Sequence, residues 1–185
     1  MSYSYSPRLA PRGHLESMSS YQTLFIQQTD SVTQVTLNRP EIHNAFNEMM
    51  IAELTQVFRA LSVDPQTRII ILTGSGESFC AGADLNWMQR MVNYSQKENL
   101  EDSEKLHLML YAVYSCSKPV IAKVNGSAIG GGTGLIAAVD FAIADEKAQF
   151  CFSEVRLGLI PAVISPFVLR KIGESNAREY FLTRT

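Results

Sequence analysis

The sequence predicts an α/β fold, and three observations carry that prediction. Strand-like runs alternate with helical stripes from Tyr21 onward. The run Ile69-Ile70-Ile71-Leu72 is continuously apolar and β-branched, as a strand buried on both faces would be. Glycines gather where strand-like segments give way to helix-like ones, at Gly74 to Gly82 and at Gly126 to Gly134.

Each element follows from local pattern. Leu24–Gln28 and Val32–Leu37 flank Thr29-Asp30-Ser31, which reads as a hairpin turn. Asn38-Arg39-Pro40 stops the second strand. Asn47 can cap a helix whose apolar face is Ile51, Leu54, Val57, Phe58 and Leu61, and Asp64-Pro65 ends it. After the Ile69–Leu72 strand and the Gly74-Ser75-Gly76 turn, helical spacing resumes with Leu85, Met88 and Val92. Asn93 to Ser103 is polar and reads as a loop or a solvated helix. Leu106, Met109, Leu110 and Val113 form another stripe, and Pro119–Val124 a second buried strand. The glycine cluster leads into a helix through Leu135, followed by strands at Phe141–Ala144 and Gln149–Phe152. Ser165-Pro166 opens a last helix through Ile172. No tandem repeat of fixed period is present.

Composition removes several classes of function. The chain has 185 residues, 46% hydrophobic and 18% charged, which excludes a disordered or collagen-like protein. Its 16 Lys+Arg and 18 Asp+Glu give a net charge of −2, with no basic cluster to favour nucleic acid. The most apolar stretch, Ala128 to Ala144, holds four glycines and Asp140, so no membrane span is expected. Cys80, Cys116 and Cys151 are odd in number and form no CxxC pair, which suits reduced thiols in a cytosol-like compartment. Residues 1–20 lack apolar periodicity and are expected to be a disordered leader ahead of one core domain over 21–185. A short targeting peptide and a start at Met18 are the alternatives, so a cytoplasmic location stands beside a mitochondrial matrix one.

The chemistry narrows by elimination. Gly126 and Gly131 have phosphate-loop spacing, but Gly132 stands where that loop needs lysine. Neither a dinucleotide fingerprint, a GxSxG elbow nor an HExxH is present, and His14, His43 and His107 show no metal spacing. Bare backbone remains. Gly131 at a helix start and Ala83 in the Cys80–Asp84 bend can each point an N–H outward, and two such groups on one oxygen make an oxyanion hole. Close strand–helix packing is the other explanation for the same glycines. Glu154 precedes an apolar loop, and a carboxyl held among apolar groups suits acid–base work. A surface glutamate at a strand end is the plainer alternative. Asp84 and Asp140 read as structural helix-end residues.

Several of these segments together resemble the enoyl-CoA hydratase/isomerase (crotonase) family. They are Asn38-Arg39-Pro40, Asn44-Ala45, Gly74 to Leu85, Asn125 to Gly132, and Ser153 to Pro161, in family order over Tyr21 to Thr185. The resemblance implies a crotonase spiral of ββα units and an acyl-CoA substrate, with coenzyme A as part of that substrate and no separate metal or redox cofactor. It implies a thioester oxygen between the N–H groups of Ala83 and Gly131, Glu154 as acid–base, and Ala45, Ala81, Asp84 and Leu85 along the coenzyme A groove. Leu85-Asn86-Trp87-Met88, Arg90-Met91 and Pro161 to Pro166 resemble the methylglutaconyl-CoA hydratase branch, which hydrates a branched, carboxylated enoyl-CoA in leucine breakdown. A Δ3-Δ2 isomerase and a non-catalytic coenzyme A-binding or assembly subunit are the other readings.

Two departures shape further expectations. Where the family hydratase has a second glutamate, this chain has Gly134, which is expected to leave room for the substrate's own distal carboxylate to hold the reacting water. A backbone group is the other source for that bond. The family continues through further helices that close the acyl pocket and build a homotrimer or hexamer. Their absence here implies a truncated chain with an incomplete pocket and exposed apolar surface.

Overall fold

The computed structural model describes residues 21–183, so the leader expected over residues 1–20 lies outside the described residues. A hairpin starts the fold. β1 (Leu24–Thr29) and β2 (Val32–Leu37) pair antiparallel, with Leu24 opposite Leu37. Asp30 makes the tight turn at φ +52°. The other strands of the main sheet are β3 (Ile69–Gly74), β4 (Val120–Val124) and β6 (Phe141–Ala144), added in parallel in the order β1-β2-β3-β4-β6.

Parallel strands need crossovers, and helices supply them. α1 (Glu48–Val63) is capped by Asn47, whose side chain accepts from Met50 N at 2.9 Å. Its stripe of Ile51, Leu54, Val57, Phe58 and Leu61 is buried throughout. α2 (Leu85–Met91) and α3 (Gln96–Tyr114) form the second crossover. Ser95 and Glu98 close a reciprocal capping box, so the polar patch becomes a short link and then the solvated first turns of α3. α4 (Gly131–Ala138) and α5 (Ser165–Thr183) complete the set.

A second, smaller layer runs beside the main sheet. Phe46 bridges Ala83, Cys80 bridges Ala128, and β5 (Ala128–Ile129) pairs in parallel with β7 (Phe150–Cys151). The first turn of chain lays the β1–β2 hairpin in the main sheet and each later turn one strand, and every turn adds a short rung in this layer.

Three expectations change on contact with the structure. The Ile69–Leu72 strand is buried on one face only: Ile70 and Leu72 are fully enclosed, whereas Ile69 stays 36% exposed. The described helices cover the face that carries Ile70 and Leu72, and Phe25, Phe141 and Ile143 on the other face are exposed too. On α2 the buried residue is Trp87, while Leu85 and Val92 are 75% and 83% exposed. The indole has more apolar area to bury than either, and its N–H finds the buried Asp102 carboxylate on α3 at 3.3 Å. The last helix passes the expected end at Ile172 by breaking at Gly173, whose φ of +80° interrupts the helical backbone.

Gly126 shows how tightly the bends are fitted. A Cβ there would overlap the Glu77 carbonyl and lie 3.2 Å from Ser78 Cα, both backbone atoms that cannot swing aside. Gly126→Ala is expected to lower the unfolding free energy by about 2 kcal/mol or more, read as a shifted urea midpoint at unchanged slope.

Candidate active site

The two glycine-bearing bends meet. Gly82 has φ +87°, and a Cβ on it would lie 2.8 Å from the Ile129 carbonyl oxygen and 3.6 Å from Gly131 N. No side chain separates the backbone that carries Ala83 from the backbone that opens α4. The Phe46–Ala83 bridge then fixes which way Ala83 faces. Phe46 N donates to Gly82 O at 2.6 Å, and Asp84 N donates to Phe46 O at 2.8 Å. In a parallel bridge of this kind the residue between has its own N–H on the opposite side. Among the described residues nothing accepts from Ala83 N–H. Gly131 is the first residue of α4, so its N–H has no acceptor within the helix, and the helix dipole adds positive potential there. The Phe46 ring covers Gly131 so closely that a Cβ would come within 2.8 Å of Cε2.

Glu154 completes the cluster. It opens a short 3-10 turn, Glu154–Leu157, just after β7. Its Oε1 lies 3.1 Å from the point where a Gly130 Cβ would be, one residue from Gly131. Its Oε2 is shielded from solvent and has no hydrogen-bond partner among the described residues. Burial pushes the Glu154 carboxyl above its ordinary range, and only its own backbone N–H opposes that. A carboxyl with one oxygen shielded and unpartnered costs stability, which is the pattern of a group kept for chemistry.

A polar frame holds the first bend in place. Arg39 donates to Ala45 O at 2.8 Å and to Asp84 Oδ2 at 2.9 Å. Asp84 also caps α2 by accepting from Asn86 N at 2.8 Å. Burial would raise the Asp84 carboxyl, but the Arg39 guanidinium and the N–H groups of Asn86 and Trp87 outweigh it and hold the group below its usual range. Asn44 is fully buried: Oδ1 accepts from Arg39 N, and Nδ2 donates to Ser75 O and Ser78 O. The sequence shows Arg39 and Asn44 only as parts of motifs, since nothing local signals that they meet residues 31 to 45 positions further on.

The other sequence-selected residues fall around that bend. Ala45 is buried, Ala81 N donates to His43 O at 2.9 Å, and the Asp84 side chain is committed to Arg39 and its own helix. Leu85 points to solvent. The Asp140 carboxylate accepts from Val120 N at 2.8 Å, a structural role. Burial pushes the Cys80 thiol up to about 12, so it is no nucleophile. Among the described residues no His, Cys, Asp and Glu group is placed to hold a metal ion.

Gly134 corrects an expectation. The room thought to await a substrate carboxylate is filled: a Cβ on Gly134 would overlap the Ile164 γ2 methyl and lie 2.9 Å from Ile164 Cβ. Ile164 is itself buried, so that side of the centre is a packed apolar wall. Two concavities lie away from Gly134. One of about 430 Å³ lies between α4 and α5 on the Thr133, Ile136 and Ala137 face, turned away from Gly131, and one of about 440 Å³ lies between α1 and α3.

The chain's kinship agrees with this arrangement. Residues 27–185 match the profile described as enoyl-CoA hydratase/isomerase. The chain belongs to the enoyl-CoA hydratase/isomerase family. It is 38% identical over 183 residues to an enoyl-CoA hydratase of Alternaria alternata, covering 96% of this chain and 57% of that protein. The bacillaene synthase dehydratase of Bacillus subtilis is 34% identical over 158 residues, covering 85% and 60%. A crystal structure of an enoyl-CoA hydratase from Shewanella pealeana superposes with a TM-score of 0.87 at 44% identity, covering 89% of this chain and 62% of that one. The fold is therefore the α/β crotonase fold, and the chain spans about 60% of the length of the curated relatives it matches.

Two stability measurements check this account. Glu154 holds its proton more tightly folded than unfolded, so its contribution falls as pH rises from the ordinary carboxylate value through the raised native one. Glu154→Gln is expected to raise the melting temperature at pH 7, with the gain vanishing near pH 4, where both forms are neutral. Gly134→Ala is expected to destabilise by about 1–3 kcal/mol, and less on an Ile164→Ala background, read as a coupling energy in a denaturation double-mutant cycle.

Proposed function

We propose that this chain is the catalytic core of a hydratase that adds water across the 2,3-double bond of an enoyl-CoA. The observation that carries the proposal is that three groups lie close together: Gly82, next to Ala83, approaches Ile129 and Gly131, and the Glu154 carboxyl lies against Gly130.

The chemistry follows from what each group can do. The thioester oxygen accepts from the two N–H groups, which draws electrons from the double bond and makes C3 electrophilic. Glu154 as carboxylate takes a proton from water while the water oxygen bonds to C3. The charge passes to the thioester oxygen as an enolate, held where the two amides already point. Glu154, now protonated, returns its proton to C2. One water is added in all. The raised Glu154 pKa suits a group that must both accept and give a proton. Ala45, Ala81, Asp84 and Leu85 border the groove proposed for coenzyme A, with Asp84 acting through the bend it stabilises.

The branched, carboxylated substrate of the methylglutaconyl type is the finer part of the proposal. It is supported by the Leu85 to Met91 and Pro161 to Pro166 segments, with leucine breakdown as the setting. With one carboxyl at the centre, a Δ3-Δ2 isomerase is the second reading, because moving a proton needs one acid–base group. A homotrimer or hexamer is proposed for the assembled enzyme; exposed Phe141, Ile143 and Ile160 offer apolar surface to cover. No helix among the described residues is long and apolar enough to cross a membrane.

Incubation with 3-methylglutaconyl-CoA and with crotonyl-CoA in ¹⁸O water tests both levels. A labelled 3-hydroxy product supports the hydratase, and a higher kcat/KM for the former supports the finer substrate. A shifted double bond without label supports the isomerase. Glu154→Gln is expected to lower kcat by on the order of 10²–10⁴-fold with a smaller change in KM.

A further inference from the structure

A water molecule that gives one hydrogen to Glu154 still has another, and inside an apolar pocket that second O–H needs an acceptor. The position opposite is closed by Gly134 against Ile164, so neither a second carboxylate nor a substrate group supplies it there. The residue beside Glu154 carries an acceptor.

Ser153 stands at the N-cap of the Glu154–Leu157 turn, where a serine ordinarily turns its hydroxyl back to the helix N–H groups. This one makes no cap hydrogen bond. Its hydroxyl lies 3.4 Å from the Cβ position of Gly130, the same point that Glu154 Oε1 approaches to 3.1 Å. Both oxygens therefore border one side of Gly130, next to the amide of Gly131. The hydroxyl bonds to no described residue, and it is not sealed from solvent. A serine hydroxyl is neutral at pH 7 and has lone pairs to accept with, which adds no second negative charge beside Glu154.

We propose that the Ser153 hydroxyl accepts the second hydrogen bond of the water that Glu154 activates, and so positions that water for addition to C3. The inference rests on the hydratase reading and deepens it. In the balanced step, the water oxygen bonds to C3, one proton passes to Glu154 and on to C2, and the other stays on the product hydroxyl. Ser153 exchanges no proton. It orients.

That division of labour gives a test. Exchange of the C2 hydrogens of butyryl-CoA with D₂O needs Glu154 and the two amides but no added water. Ser153→Ala is expected to lower kcat for hydration by about tenfold or more, with KM changed less than about threefold, while C2 exchange stays within about twofold. Ser153→Thr, which keeps a hydroxyl, is expected to recover most of the hydration rate. Equal losses of hydration and exchange in Ser153→Ala, or no loss of hydration, overturn the proposal and leave the hydratase reading standing. Glu154→Gln separates the two levels: it is expected to lose both reactions. Retention of both in Glu154→Gln, or neither reaction in the unsubstituted protein, overturns the hydratase reading and this inference with it.

Discussion

The whole site depends on one approach of backbone to backbone. Gly82 lies against the Ile129 carbonyl and the Gly131 nitrogen with nothing between them. A single methyl group at Gly82 would hold the bends apart, and the left-handed conformation of that residue also disfavours one. Most proteins that grip a small ligand do so with side chains, which add rotamer freedom that must be lost on binding. In the proposed site the gripping groups are amides of the chain itself, locked by the Phe46 rung on one side and by the start of α4 on the other.

Rigidity of this kind has to be anchored. Asn44 ties the Arg39 strand end to the Ser75–Ser78 turn, and Arg39 ties the same region to Asp84. These residues touch no reacting atom in the scheme, yet each fixes backbone next to one that does. Glu154 is the opposite case. It has a shielded oxygen with no partner and a carboxyl pushed up by burial, so the fold is less stable for keeping it where it is.

Much of the fold was legible in the sequence because its strands and helices obey local rules. The hairpin, the Asn47 cap, the α1 and α3 stripes and the short β4 strand are all readable from spacing. Where the reading failed, tertiary contact decided. Trp87 displaced the Leu85, Met88 and Val92 stripe because it could reach Asp102 across the helix pair. The Ile69–Leu72 run looks equally apolar on both faces, but sequence does not say how many faces the helices cover. Within the site, glycines and Glu154 stood out as oddities of type and place. Gly134 stands out too, but the Ile164 side chain that fills the space beside it is 30 residues away in the sequence. Ser153 gave no local sign, since a serine before a short helical turn is ordinary until its hydroxyl is found pointing elsewhere.

The rungs of the second layer have one further meaning. Phe46 stands beside Ala83, and Cys80, Ala128 and Phe150 stand side by side, yet the chain between them runs through segments of very different length and polarity. Each connecting excursion leaves and returns to a fixed lattice of backbone. Lengthening or recasting an excursion therefore leaves that lattice, and the Ala83 and Gly131 amides set in it, undisturbed. The lack of a fixed period in the sequence is the trace of that freedom: what repeats is the stacking, and the distance travelled between stacks is unconstrained.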